Sequence, residues 1–270
     1  MPEVTEQLLE VLASLDEASQ FCTSGSLPLV LPGLEVQGVG EVGLPIGQAA
    51  ARQLIQQAVP APYGRGEETI VDLEVRRVWQ IEPKHCAIHN PNWDTFISDI
   101  VETVKQEFSI DKRVTWDLYK LLIYEKGSFF APHRDSEKVD GMFATLLVCL
   151  PSRHQGGTLV VSHDGESKKI DFGGKAGAFN IQYAAFYTDC QHEITPVTSG
   201  YRVCFVYNLK IARSKRQPSA PAHGSKVEQV AALLSQVFAD TSRDKIAIPL
   251  AHEYSQAGLS RDMLKGTDRS

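Results

Sequence analysis

The sequence predicts an α+β protein with a mainly β core, built as an antiparallel sandwich or barrel such as a jelly roll and braced by helices near both ends of the chain. Two observations support this class. Short apolar strand-like runs separated by glycine-bearing turns fill the region after Val114, without helices between them. Helical periodicity is confined to the two flanks, where apolar residues recur at intervals of about three or four.

Four helices are predicted outside the strand-rich region. Thr5–Phe21 begins with a capping threonine and carries an apolar face, and Gln48–Ala58 is rich in strong helix formers. Asn92 can cap a helix that runs to Phe108 with one apolar stripe. The last helix, Ser225–Asp240, starts with a capping box.

The predicted strands lie on either side of the glycine-bearing turns after Val114, and a less regular region precedes them in the chain. Leu34–Val42 predicts an irregular strand pair, Val71–Ile81 a single strand, and Thr23–Pro32 a loop. The later strands are expected at Asp117–Tyr124, Thr145–Cys149, Gly157–Val161, Ser167–Phe172, Ala178–Ile181, Ala185–Tyr187, His192–Pro196 and Gly200–Asn208.

This reading divides the chain into three regions. Residues 1–115 hold helices and strands that pack on the core, residues 116–209 form the core, and residues 210–270 hold a linker, a helix and a short strand at Ile246–Leu250. The ending does not resemble a natural stop, so we expect the chain to be part of a longer protein.

Composition disfavours several partners and compartments. The net charge of −6 does not favour non-specific binding to nucleic acid, and the short basic run 210–216 is interpreted as solvated linker. No apolar run approaches the roughly 20 residues that span a bilayer, and the acidic N-terminus is not a secretory signal. Five scattered cysteines indicate a reducing compartment, so we expect an intracellular protein of the cytoplasm or nucleus.

The central region contains a possible metal site. His133 and Asp135 are two apart, so an extended backbone points both to one face, and His192 begins a later strand. Two imidazoles and one carboxylate form a ligand set for Fe(II) that leaves coordination positions free. The competing ligands His154 and His163 lie next to turns, where we expect exposed strand ends.

Other cysteine and histidine positions give weaker signals. His85, Cys86 and His89 have no matching second half of a metal site, so polar loop contacts are the preferred interpretation. Cys190 lies two positions before His192 and could be either near the metal or part of the packing.

Arg202 is the only cation in the predicted strand from Tyr201 to Leu209, which is otherwise mainly apolar. A buried guanidinium needs a counter-ion, and its planar fork suits a carboxylate. The carboxylate could belong to a co-substrate or to an internal Asp or Glu.

Together these residues carry a family resemblance. The region 121–209 resembles the catalytic domain of the 2-oxoglutarate- and Fe(II)-dependent oxygenases, in their prolyl-4-hydroxylase-like branch. The residues that carry it are Tyr124, Gly127, His133, Asp135, Thr145, Gly156, Gly157, Thr158, His192, Gly200 and Arg202. The resemblance implies a double-stranded β-helix, a jelly-roll or cupin-like fold, with the two histidines and Asp135 holding Fe(II).

The resemblance also implies a co-substrate site. Arg202 would bind the distal carboxylate of 2-oxoglutarate and act as a catalytic-site residue, while Tyr124 and Thr145 would contact the same molecule. Collagen-type members usually have Lys where Arg202 stands, although related branches use Arg in that role. O2 completes the cofactor set, and ascorbate can support activity.

The implied activity is hydroxylation of a protein side chain, such as proline, or of a small molecule, with succinate and CO2 as co-products. The presence of Asp135 disfavours a halogenase. The alternatives are an enzyme of another metal on a cupin-like barrel, or a non-catalytic binding protein that keeps the fold. The sequence names neither the substrate nor the oligomeric state.

Overall fold

The computed structural model describes residues 7–8, 20–65, 68–70, 72, 74–110, 112–135, 139–211 and 224–239. Contacts between Cα atoms divide the chain into two compact units. The larger unit comprises Phe21–His163 and Ser167–Ala220 and contains the sheets described below. The smaller comprises Met1–Gln20, Asp164–Glu166 and Pro221–Ser270, and its longest described element is one helix.

The strands of the described residues are mostly short in the first half of the chain and longer in the second. In order they are β1 Cys22–Leu27, β2 Leu34–Val36, β3 Gly40–Glu41, β4 Val59–Pro60, β5 Tyr63–Arg65, β6 Glu68–Ile70, β7 Arg76–Arg77, β8 Trp79–Ile81, β9 Cys86–Ile88, β10 Val114–Tyr124, β11 Phe129–His133, β12 Met142–Leu150, β13 His154–Gly156, β14 Leu159–His163, β15 Glu166–Ile170, β16 Ile181–Tyr187, β17 Gln191–Ile194, β18 Val197–Gly200 and β19 Arg202–Ile211.

The helices lie mainly outside the strand-rich region. They are α1 Gln48–Gln57, a 3₁₀ turn at Pro83–His85, α2 Trp93–Glu107, the single turn α3 Gly174–Gly177, and α4 Gly224–Ala239. Each predicted helix that falls on described residues is present, with ends shifted by one residue. Within those residues, no helix combines the length and the apolar character needed to cross a membrane.

Two antiparallel sheets form the core. A seven-stranded major sheet has the order β1-β16-β12-β19-β10-β8-β4, and a five-stranded minor sheet has the order β15-β14-β17-β11-β7. From β10 to β19 the chain alternates between them, with β10, β12, β16 and β19 in the major sheet and β11, β14, β15 and β17 in the minor sheet. This winding is a double-stranded β-helix, which confirms the predicted fold class.

Helix α2 covers the outer face of the major sheet. Trp93 is buried, its indole N–H donates to the Tyr207 hydroxyl at 2.9 Å, and its ring meets that of Phe205 edge-on at 6.0 Å between centroids. The central strands of the major sheet are therefore buried on both faces. This explains why the sequences of β12 and β19 are almost continuously apolar instead of alternating between apolar and polar residues.

Strand β1 contradicts the loop that was predicted for Thr23–Pro32. Low strand propensity is overridden here because the backbone of β1 pairs along its whole length with β16. Gly25 also lies against the ring of Tyr183, where an added Cβ would stand 2.5 Å from a ring carbon. Glycine has a low strand propensity, but at position 25 its lack of a side chain allows β1 to pack against Tyr183.

Two further strand predictions were wrong in their bounds. The single strand expected over Val71–Ile81 is split, because β7 joins the minor sheet and β8 joins the major sheet. Between them the buried Val78 accepts a hydrogen bond from the Ala61 N–H through its carbonyl. The strand expected at Ala178–Ile181 is a turn after α3, and β16 starts only at Ile181.

Other details were missed or lie outside the described residues. Besides β1, seven of the described strands were not predicted: β4, β5, β6, β9, β11, β13 and β18. Asn92 stands at the N-cap of α2 without a capping side-chain bond, and its own N–H donates instead to the side chain of Asn90. The predicted helix Thr5–Phe21 is described only at four positions, and the predicted strand Ile246–Leu250 not at all.

The Trp93 contact predicts a measurable loss of stability. Replacing Trp93 with Ala should lower the free energy of unfolding by about 3–5 kcal/mol, because a large buried ring is lost. Tyr207→Phe keeps the packing but leaves the buried indole N–H without its acceptor, which should cost about 1–3 kcal/mol. Urea unfolding monitored by circular dichroism measures both, and equal effects of the two changes would contradict the assigned packing role.

Candidate metal centre

Three side chains converge where β11 and β17 meet. His133 lies directly opposite His192 in this antiparallel pair, and Asp135 follows two residues after the end of β11. The His133 Nε2 atom is 3.9 Å from Asp135 Oδ1, and the His192 Nε2 atom is 3.8 Å from Asp135 Oδ2. One donor atom from each of the three lies within 4.8 Å of the others. The structure thus brings together the three predicted metal ligands.

Backbone carbonyls orient both imidazoles. The His133 Nδ1–H donates to the Ala131 carbonyl at 2.9 Å, and the His192 Nδ1–H donates to the Cys190 carbonyl at 3.3 Å. Because a carbonyl can only accept, the proton is on Nδ1 and the lone pair of Nε2 faces the centre. The His133 Nε2 atom is buried and has no hydrogen-bond partner among the described residues, which suits a metal ligand.

The protonation states also favour metal binding. Burial and the neighbouring His192 lower the pKa of His133 to about 3, and burial lowers the pKa of His192, so both imidazoles are neutral. Burial alone would raise the pKa of Asp135. The attraction of His192 and a hydrogen bond from Thr145 outweigh that effect, so the pKa of Asp135 is lowered and its carboxylate is ionised.

Thr145 and two aromatic rings hold the ligands in place. The Thr145 hydroxyl donates to Asp135 Oδ2 at 2.7 Å. Phe130 stacks on His133 with 3.5 Å between ring centroids, and Phe186 lies 4.3 Å from the ring of His192. A set of two nitrogen donors and one carboxylate with fixed orientations fits Fe(II) and leaves positions for other ligands.

The metal centre lies in a cavity of about 430 Å³ between the two sheets. Both sheets contribute to its walls, together with residues near its opening. The lining residues are Pro62, Arg76, Tyr119, Lys120, Leu122, Tyr124, Phe130, His133, Arg134, Asp135, Met142, Thr145, Leu147, Leu159, Phe186, His192, Ile194, Val206 and Asn208. Tyr124 and Thr145 are therefore both in contact with the space in which a co-substrate would lie.

Arg202 is fully buried at the start of β19, directly opposite Tyr124 in β10. Its Nη1–H donates to the Gly157 carbonyl at 2.8 Å, and its guanidinium carbon lies 5.0 Å from the Tyr124 ring centroid and 4.7 Å from that of Phe172. Nε and Nη2 have no hydrogen-bond partner among the described residues. Arg202 is not a lining residue of the cavity, whereas Tyr124, whose ring its guanidinium contacts, is one.

The internal ion pair that was weighed for Arg202 is not found within the described part of the chain. No carboxylate there lies within ion-pair distance of its guanidinium. The groups that act on its charge are the thiols of Cys149 and Cys204 and the phenol of Tyr124. A buried cation with two unpaired N–H groups is suited to an external anion.

The structure identifies two cavity residues that the sequence reasoning missed. Arg76 in β7 is buried, donates from Nη1 to the Pro62 carbonyl at 2.6 Å, and lies 4.2 Å above the Phe130 ring. Burial lowers the pKa of Arg76. Asn208 is buried on β19, and its Oδ1 atom has no partner among the described residues. The sequence pattern that could have identified Arg76 is a charged residue within the apolar and β-branched segment Val71–Ile81.

The competing histidines behave differently from one another. The expectation that His154 lies at an exposed strand end was wrong, because β13 pairs with β18 and the side chain is buried. His163 is half-buried and lies near Asp189 and Cys190. The Cys190 thiol donates to the Phe21 carbonyl at 3.6 Å and burial raises its pKa to about 12, so it stays protonated and acts in packing.

The loop histidines make the polar contacts that were expected. His85 bonds through Nδ1 to Gln37 Oε1 at 2.6 Å, and His89 bonds through Nε2 to Glu35 Oε2 at 2.7 Å. Neither residue belongs to a metal-type cluster within the described ranges.

The family comparison covers the three converging side chains but not Pro62 and Arg76, which also line the cavity. Residues 119–210 match the 2OG-Fe(II) oxygenase superfamily. The match confirms the resemblance to these enzymes and the expected cofactor set of Fe(II), 2-oxoglutarate and O2. It includes the three converging ligands together with Tyr124 and Arg202. No curated protein matches the chain.

Several solved structures resemble the chain at low identity. A Pseudomonas putida prolyl-4-hydroxylase matches with a TM-score of 0.44 and 17% identity, covering 77% of this chain and 100% of its own. A Trichoplax adhaerens prolyl hydroxylase, in complex with a hypoxia inducible factor peptide fragment, has a TM-score of 0.42 and 13% identity, with coverage of 78% and 91%. The collagen prolyl hydroxylase of Paramecium Bursaria Chlorella virus-1 has a TM-score of 0.39 and 14% identity, with coverage of 72% and 97%.

The bond from Thr145 to Asp135 predicts an effect on metal affinity. Thr145→Val removes the donor while keeping the shape, and we expect Fe(II) affinity to fall by about 10–100-fold, as for other groups that support a metal ligand. Thr145→Ser keeps the hydroxyl and should retain most of the affinity. Anaerobic titration with Fe(II) measures the change, and wild-type affinity in Thr145→Val would contradict the assigned role.

Proposed function

We propose that this protein is an Fe(II)- and 2-oxoglutarate-dependent oxygenase that hydroxylates a C–H bond of a protein side chain, such as that of proline, or of a small molecule. The observation that carries the proposal is the convergence of two neutral imidazoles and one ionised carboxylate on the wall of a cavity between the two sheets. The match to the oxygenase superfamily over the same residues supports it.

In this proposal His133, Asp135 and His192 hold the iron on one side. The carbonyl acceptors of the two Nδ1–H groups keep both rings aimed, and Thr145 keeps one oxygen of Asp135 oriented. When bound, iron and 2-oxoglutarate supply the oxidising chemistry that transfers one oxygen atom of O2 to the substrate and yields succinate and CO2. Since all three of these side chains line the cavity, other ligands of the iron would reach it from there.

Arg202 and Tyr124 would position 2-oxoglutarate. The guanidinium offers two N–H groups that lack partners, and Tyr124 offers a hydroxyl on the same side of the sheet. Burial raises the pKa of Tyr124 to about 12, so its phenol stays protonated and can donate to a carboxylate. Binding of the distal carboxylate between these groups would neutralise a cation that is otherwise costly to bury.

The apolar part of the cavity would exclude water around the reacting centre. Its aliphatic lining residues include Leu122, Leu147, Leu159, Ile194 and Val206. An apolar wall excludes water and so limits side reactions of the oxidant with solvent. The few polar groups orient the substrate.

Turnover of 2-oxoglutarate tests the proposal directly. With Fe(II), ascorbate and O2, we expect the wild type to release succinate and CO2 from 2-oxoglutarate, and His133→Ala to lose this activity together with Fe(II) binding. The Fe(II)–2-oxoglutarate charge-transfer absorbance, recorded without O2, reports binding in both proteins even when no substrate is supplied. A wild type that binds no Fe(II) and consumes no 2-oxoglutarate would refute the assignment in favour of a non-catalytic or other-metal protein.

The role of Arg202 predicts a separation of co-substrate and metal binding. Arg202→Ala should weaken 2-oxoglutarate binding by about two orders of magnitude, since losing one partner of a buried charge pair costs about 2–5 kcal/mol. Fe(II) affinity should be almost unchanged because the guanidinium does not contact the three ligands. Arg202→Lys is the matched control and should retain part of the affinity. Loss of Fe(II) binding before loss of 2-oxoglutarate binding would show that Arg202 is misassigned.

A further inference from the structure

Arg76 is a second buried cation, and unlike Arg202 it lines the cavity itself. It belongs to β7, which pairs with β11 through the contact of Arg76 with Phe130. Its guanidinium carbon lies 4.2 Å from the centroid of the Phe130 ring, and that ring also stacks on His133 with 3.5 Å between centroids. Arg76 and a metal ligand therefore contact the same aromatic ring.

The Arg76 side chain is held in position without an ion-pair partner among the described residues, and Asp135 acts on its charge only from beyond ion-pair distance. Nη1 donates to the Pro62 carbonyl at 2.6 Å, while the buried Nε has no partner among the described residues. Within those residues, no Asp or Glu lies within ion-pair distance of the guanidinium. An unpaired buried charge is costly, so the structure provides for an anion that enters the cavity.

The charges around the cavity favour the same kind of ligand. Lys120 and Arg134 also line it, and Asp135 is the one carboxylate among its lining residues in the described part of the chain. Both oxygens of Asp135 are directed at the histidines and Thr145, where a metal ion would claim its charge. Among the described lining residues, cationic side chains therefore outnumber carboxylates.

We propose that Arg76 binds a carboxylate of the substrate that is oxidised, so that the substrate is an organic acid or an acidic peptide side chain. This inference rests on the proposed function and adds the substrate class to it. The distal carboxylate of 2-oxoglutarate is assigned to Arg202, which leaves Arg76 for a second molecule. A carboxylate carries one negative charge, which one guanidinium balances, whereas a phosphomonoester carries about −1.5 to −2 at neutral pH.

Matched pairs of small probes test this preference without knowledge of the natural substrate. The protein is loaded with Zn(II), which does not support turnover, and with saturating 2-oxoglutarate. Binding of benzoate is compared with benzamide, and of N-acetyl-Gly-Asp-Gly-amide with N-acetyl-Gly-Asn-Gly-amide, by calorimetry or ligand-observed NMR. We expect the acid of at least one pair to bind ten or more times tighter than its amide, and the pair that responds distinguishes a small acid from a peptide side chain.

Arg77 supplies a matched control for the arginine itself. It is the next residue of the same strand, but it is exposed and does not line the cavity. Arg76→Gln should abolish the preference for the acid, Arg76→Lys should retain part of it, and Arg77→Gln should leave it as in the wild type. Thermal unfolding of all four proteins identifies any variant that fails to fold, and the folded Lys variant then carries the comparison.

Three results would overturn the inference. The first is equal binding of acid and amide by the wild type in both pairs, including no detectable binding of either member. The second is a preference that survives Arg76→Gln. The third is a loss of 2-oxoglutarate affinity in Arg76→Gln as large as in Arg202→Ala, which would make Arg76 a co-substrate residue. Failure of the oxygenase assignment is distinct, because the wild type would then bind neither Fe(II) nor 2-oxoglutarate.

Discussion

The metal centre depends on the register between β11 and β17. Phe130 pairs with Ile194 and His133 pairs with His192, so β11 holds one more residue than β17 over this interval. The extra residue is a β-bulge at Ala131 and Pro132. Side chains three apart in a regular strand point to opposite faces, and the bulge brings Phe130 and His133 to the same face.

The same bulge supplies the hydrogen bond that orients the first ligand. The Ala131 carbonyl accepts from His133 Nδ1–H, and Pro132 has no backbone N–H to leave unpaired. Since His192 lies directly opposite His133, the two imidazoles stand 4.1 Å apart between ring centroids. The bulge thus sets the direction and the tautomer of the His133 ring and its distance from the His192 ring.

Two buried arginines carry the chemistry that we propose for this site. Arg76 lines the cavity, whereas Arg202 contacts the ring of the lining residue Tyr124. Arg202 and Arg76 lie in different sheets, and neither has a carboxylate partner among the described residues. Each is held by one backbone carbonyl and by aromatic rings, which fix its position without neutralising its charge. In the proposed function one cation would bind the co-substrate and the other the substrate, so each of the two sheets would contribute one carboxylate-binding arginine.

The sequence by itself determined the elements whose pattern is local. The apolar stripe of α2, the continuous apolar runs of β12 and β19, the spacing of His133 and Asp135, and the position of Arg202 in an apolar strand could all be read from neighbouring residues. Tertiary structure alone decided the rest, because it depends on pairing between distant strands. It made a strand of β1 through β16, buried His154 beneath β18, directed Thr145 to Asp135, and brought Arg76 to a cavity whose other residues lie far along the chain.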